Sequence, residues 1–140
     1  MRTLSMTLAL IAAAAAGVGA VPAQAKEKMT QEEALAKALE GREAGTPVNC
    51  ITQRDIRSSR IFDKVGILYE MRDGTYYLNR PVSGASSLDW TDVLVTDTHS
   101  NQLCSVDIVK LYDSATQMQT GYLGLDTFVP YPKPKREKDK

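Results

Sequence analysis

The sequence predicts an α+β, mainly β domain: an N-terminal helix beside a small antiparallel meander or partly open barrel, held by one disulfide. Three observations lead there. Thr30-Gln31-Glu32-Glu33 is a capping box ahead of an alanine- and leucine-rich run. From Val48 onward short alternating apolar stretches are broken by turn signals at intervals of roughly 8–12 residues. Two cysteines, Cys50 and Cys104, form an even count.

Residues 1–25 are set apart from the fold. Arg2 supplies a positive start, Leu8 to Ala16 an apolar run, and Ala23-Gln24-Ala25 a small-x-small site before polar Lys26. This pattern predicts an export signal cleaved between Ala25 and Lys26. An uncleaved anchor is the alternative, but the run is mostly alanine and is followed by glycines and Pro22, which favours cleavage. The expected mature product is a soluble periplasmic chain with no stable membrane span. Its organisation reads as a helix and linker over 26–46, one β domain over 47–129 and a disordered Pro/Lys-rich tail over 130–140.

The whole chain carries 17 basic and 17 acidic residues. The basic charge is concentrated in the closing KPKREKDK, so the domain itself is mildly acidic, which excludes nucleic acid as an expected partner.

In an exported chain the two cysteines point to a disulfide, closing a loop that the chain-entropy model values at roughly 4 kcal/mol. A thiol nucleophile would need a base, and His99 is the only histidine; neither a CxxC nor an HxxxH cluster is present to build a metal site. No cofactor and no metal is expected.

In the helix, Ala34, Leu35, Ala38 and Leu39 make a narrow apolar stripe, with Gly41 or Gly45 available to end it. Val65, Ile67, Tyr69 and Met71 alternate as in a half-buried strand, and Asp73-Gly74 predicts a two-residue turn. That turn pairs Met71 with Tyr76 and Tyr69 with Leu78, placing Tyr76 and Leu78 on the Ile67 face. Ser83 to Ser87 reads as a loop, Asp92 to Asp97 as a strand, and Leu103 to Tyr112 as another. Gln119 to Leu125 returns as a strand, and Asp126 to Val129 forms a helical turn or edge.

RDIRSSRIF is harder. Ile51, Ile56 and Ile61 recur every five residues, which suits neither helix nor strand. Strict alternation puts Arg57, Ser59 and Ile61 on one face and Ile56, Ser58 and Arg60 on the other. Arg54, Arg57 and Arg60 are either salt-bridged surface residues or a small anion site for a carboxylate or phosphate. Asp97-Thr98-His99-Ser100 has the letters of a triad without its geometry, since adjacent residues cannot orient one another. Asp89, Asp92 and Asp97 lack the spacing of a calcium loop. The aromatics, Trp90 among them, are expected mainly in core or half-core positions.

Four segments, VNCI with RDIRSSRI, YYLNRP, LCSVDIVKLYD and GLDTFVPY, together resemble a family of small exported proteobacterial proteins, a domain of unknown function. The resemblance covers most of Val48 to Tyr131. It implies a single periplasmic domain with Cys50 and Cys104 at the family's cysteine positions. The family brings no known activity.

The functional expectation is a non-catalytic periplasmic binding or accessory module acting on an unknown protein, small ligand or envelope component. The alternatives are a small hydrolase using carboxylates such as Asp55, Asp89 or Asp107, and a structural component of the cell envelope.

Overall fold

The computed structural model describes residues 29–135; the expected leader, its Ala25/Lys26 junction and the last part of the tail lie outside the described residues. Helix α1 spans Gln31–Ala38 and opens as the sequence predicts. The Glu33 amide donates to Thr30 Oγ1 at 3.3 Å, and the Thr30 amide donates to Glu33 Oε2 at 2.7 Å. Gly41, at φ +75°, takes the left-handed conformation just past the helix end.

Among the described residues nine strands follow: β1 (Cys50–Thr52), β2 (Ile56–Phe62), β3 (Gly66–Met71), β4 (Tyr76–Asn79), β5 (Asp92–Thr96), β6 (Gln102–Cys104), β7 (Ile108–Asp113), β8 (Gln119–Gly124) and β9 (Phe128–Tyr131). All pairings are antiparallel. A large sheet has the order β2-β3-β4-β9, a small sheet β5-β7-β8, and β1 pairs with β6. The sheets do not close on one another, so the mainly β fold with an open barrel-like core is as expected.

The main core lies between the sheets. Ile67, Tyr69 and Met71 of β3 and Phe128 of β9 pack with Val109, Leu111 and Leu123 of the small sheet. Ile51 and Leu103 bring the β1–β6 pair into the same cluster. Leu35 of α1 buries itself on the opposite face of the large sheet, against Phe62, Leu68 and Leu78. Burying one such leucine is worth about 2 kcal/mol, enough to hold a helix too short to persist alone. β3 is therefore covered on both faces, not half-buried.

That double burial corrects the hairpin. The loop holds three residues, Arg72-Asp73-Gly74, closed by the Met71 amide on Thr75 O at 2.9 Å, with Gly74 at φ +87°. This adds a residue to the turn and slips the register by one: Leu68 pairs with Leu78 and Tyr69 with Tyr77. Tyr76 and Leu78 consequently face α1, while Tyr77 faces the main core. A one-residue slip exchanges the faces of β4, and here both faces are apolar, so alternation alone did not choose between them.

A bulge settles the isoleucine spacing. Ile56 pairs with Met71 and Ser58 with Glu70, leaving Arg57 as the extra residue. Ile56 and Ile61, an odd number apart, thus both reach the main core, and the faces expected for Ile56 and Arg57 are exchanged.

The expected strand from Leu103 to Tyr112 is two strands. Between them Cys104 and Asp107 close a turn: the Asp107 amide donates to Cys104 O at 3.0 Å, and the Cys104 amide to Asp107 Oδ2 at 2.7 Å. The LCxxD spacing is the signature of that turn. β9 is a true strand and runs through Pro130 and Tyr131, into the stretch expected as tail; Ala85–Ser87 forms a single 3₁₀ turn inside the expected loop.

Candidate functional site

A strand at the border of a sheet leaves alternate backbone N–H and C=O groups without ladder partners, so what lies along each border decides what the molecule can bind. Of the four outer borders of the large and small sheets, two are filled. Along β9, the Gly45 amide donates to Pro130 O at 2.7 Å, and Val48 and Phe128 exchange hydrogen bonds of 2.9 and 2.8 Å. Along β8, the Val82 amide donates to Gly124 O at 3.0 Å and the Gly124 amide to Ser83 O at 3.2 Å. Gly84, at φ +77°, brings this covering segment so near β8 that a Cβ there would stand 1.9 Å from Tyr122 O.

The other two borders are bare. Among the described residues β2 pairs only with β3, and β5 only with β7. Their free edges flank one groove of about 470 Å³, with Ser59, Arg60 and Ile61 on one side and Trp90, Asp92, Val93 and Leu94 on the other, so that it holds one cation and one carboxylate. Ile61 and Leu94 are its apolar floor, since both also pack on the main core.

Trp90 stands at the mouth with 72% of its surface exposed. A tight turn holds it there: Asp89 Oδ1 accepts from the Thr91 amide at 2.9 Å and the Thr91 hydroxyl at 2.7 Å, and the Asp92 amide donates to Asp89 O at 3.0 Å. The hydrogen bonds from the Thr91 amide and hydroxyl hold the Asp89 carboxyl below its ordinary pKa. Beside the groove, the outer face of the small sheet presents Val93 (48% exposed), Val95, Ile108 (62%) and Tyr122 to solvent, whereas α1 covers the equivalent face of the large sheet. Trp90 and Tyr122 thus depart from the core or half-core placement expected of the aromatics.

The arginine cluster disperses. Arg54, Arg57 and Arg60 are all exposed. Arg57 pairs with Glu70 at 3.5 Å, and Glu70 also accepts from Ser58 Oγ at 3.0 Å. Arg60 borders the groove and, on the helix side of β2, a smaller pocket with Ser58, Glu70 and Tyr76; it makes no ion pair among the described residues. Arg54, in a 3₁₀ turn before β2, borders neither of these cavities.

The carboxylates named for hydrolysis sit apart. Asp89 holds the Trp90 turn, and Asp107 caps Cys104. Asp55 lines a separate pocket of about 340 Å³ near Cys50, Arg72 and Tyr77. Asp113 is likewise a turn cap, its carboxyl lowered by the Thr116 amide and hydroxyl. His99 is exposed in the β5–β6 connection. No group of three or more His, Cys, Asp or Glu residues able to hold a metal occurs among the described residues.

Cys50 and Cys104 face each other across β1 and β6 and form the disulfide, Cα to Cα 4.0 Å. Two further residues matter that sequence reasoning did not single out. Arg42 lies 3.7 Å from the Tyr76 ring centre and donates through Nη1 to Gly74 O at 2.8 Å and Tyr131 O at 3.0 Å, tying the linker to the hairpin turn and β9. Asn79, fully buried, donates to Asp126 O and accepts from the Asp126 amide at 3.3 Å. A polar residue at a core-facing position of YYLN was the available signal for Asn79; Arg42 carried none.

No family model, curated protein or solved structure matches this chain. Among the described residues no helix is long and apolar enough to cross a membrane.

Proposed function

We propose that this protein is an exported, non-catalytic binding or accessory module that works in the periplasm by docking a protein partner on the small-sheet side. The observation that carries the reading is the exposure of Val93, Val95, Ile108 and Tyr122 on one face of the small sheet, around Lys110, with Trp90 exposed beside a groove between two bare strand edges. Apolar side chains held in water by ordered backbone are a feature of interaction surfaces. Trp90 fits this especially well, because its turn is fixed by Asp89 and not by burial. Membership of the small exported family that the sequence resembles is part of the proposal. The disulfide is compatible with an oxidising compartment.

Two experiments test it. An intact mass from a periplasmic extract should begin at Lys26 and be two hydrogens short of the dithiol. A photo-crosslinking residue at Val95, with one at Lys37 on α1 as control, should then give a discrete adduct in the periplasm from Val95 alone. Adducts from neither position would remove the binding reading, and a chain retained in the cytoplasm would remove its location.

A further inference from the structure

We infer that the groove between β2 and β5 binds a short neutral oligosaccharide, one sugar ring stacking on Trp90 and its hydroxyls meeting Arg60, Asp92 and the bare strand edges. The inference goes beyond the protein-docking reading, since it gives the groove a ligand of its own.

The indole points to the ligand's shape. Trp90 is the chain's only tryptophan, and 72% of its surface lies in water. A tryptophan that only fills space is mostly buried. Here the turn made by Asp89 and Thr91 fixes the residue at the mouth of the groove and leaves the ring uncovered. A flat ring with an electron-rich face suits a partner that presents a flat face of C–H groups, as a pyranose does.

The charges point to a neutral ligand. The groove lining holds one cation, Arg60, and one carboxylate, Asp92, so an ion of either sign meets its like as well as its opposite. Arg60 can only donate hydrogen bonds and Asp92 can only accept them. A hydroxyl does both, so a polyol satisfies the two together. Asp92 is set in place for this. Its Oδ1 accepts from the Thr120 hydroxyl at 3.0 Å and its Oδ2 from the Asp89 amide at 3.2 Å, which leaves each oxygen a further lone pair. Ser59 adds a hydroxyl, and the edges of β2 and β5 add main-chain donors and acceptors.

Size agrees. At about 470 Å³ the groove lies within the range of about 300–1,000 Å³ usual for small-ligand sites, and Ile61 and Leu94 give it an apolar floor for ring carbons. A peptide added as a strand would engage the edges alone. A fixed donor and a fixed acceptor beside a bare indole are what select a sugar.

Because Trp90 is the sole tryptophan, its fluorescence reports on the groove alone. The probes are chitotriose, cellotriose and maltotriose, with trigalacturonate as the charged control, titrated into the intact mature protein. At least one neutral trisaccharide should shift the emission to the blue and move the amide resonances of Ser59–Ile61 and Asp92–Leu94, half-saturating at about 1 mM. Trigalacturonate should bind at least about tenfold more weakly. Trp90→Ala should weaken the amide shifts about tenfold, and Arg60→Met several-fold. Both residues are exposed, so unchanged thermal unfolding should show each variant folded. No response to any neutral trisaccharide at about 20 mM, equal binding of the charged control, or amide shifts that survive Trp90→Ala would each overturn the inference. A capped serine–valine peptide that moves the same resonances where the sugars do not would overturn it in favour of strand addition. If Val95 crosslinks a protein while the sugars fail, only the oligosaccharide inference falls.

Discussion

The two ends of the sheet system are built on opposite principles. At the β8 and β9 borders the chain supplies its own cover, folding 82–84 and 45–48 onto the outer strands with main-chain hydrogen bonds. At β2 and β5 it supplies none, and the exposed positions carry arginine, serine, valine and threonine, with Trp90 just before β5. An uncovered border is an aggregation hazard that folded proteins normally blunt, and charged side chains such as Arg57 and Arg60 are one means of doing so. The contrast teaches that these borders are guarded against promiscuous pairing without being closed. The covered borders should therefore matter to stability, and the bare ones to recognition.

The largest effect expected of breaking this arrangement lies at Gly84. Adding a Cβ drives an atom against Tyr122 O in a backbone conformation unfavourable to alanine, so Gly84→Ala should destabilise by about 3 kcal/mol, measured by urea unfolding. Arg42→Ala removes hydrogen bonds to two carbonyls and the stack on Tyr76 at the covered side, and should lower stability by about 1–2 kcal/mol in the same assay.

Acid should act on both ends at once. Thr91 donors lower the pKa of Asp89 beside Trp90, and the Thr30 backbone and hydroxyl do the same for Glu33 at α1. Because the folded-state values lie below the unfolded ones, their stabilisation is present above the unfolded carboxylate range, about pH 4, and is lost as pH falls through the folded values. Thermal unfolding should be level near neutrality and decline below about pH 4, and Asp89→Asn should make that decline shallower. The smallest effect belongs to the bare border: Arg57→Ala removes an exposed ion pair and should change stability by no more than about 0.5 kcal/mol, while leaving β2 more open to self-association in a sedimentation assay.

Much of the fold was legible wherever the chemistry is local. The Thr30–Glu33 cap, the Asp92 strand and the pairing of Cys50 with Cys104 rest on signals that a few residues carry. What failed depended on tertiary context. Alternation at β3 could not reveal that α1 would bury the other face, so the expected two-residue turn puts Tyr76 and Leu78 on the wrong face of the large sheet. The five-residue isoleucine spacing was itself the trace of the bulge at Arg57, but a bulge becomes readable only once Met71 is known to lie opposite Ile56. The site was the least legible part, because strand order decides which edges stay bare, and sequence does not announce strand order.

Backbone amide exchange, resolved residue by residue in the free protein, tests the central claim most directly. Slow exchange is expected for Val48, Val82, Gly124 and Phe128, whose amides are held at covered borders, and rapid exchange for the outward-facing amides of β2 and β5. Protection of every amide along β2 and β5 would mean that those edges are already occupied, and would contradict it.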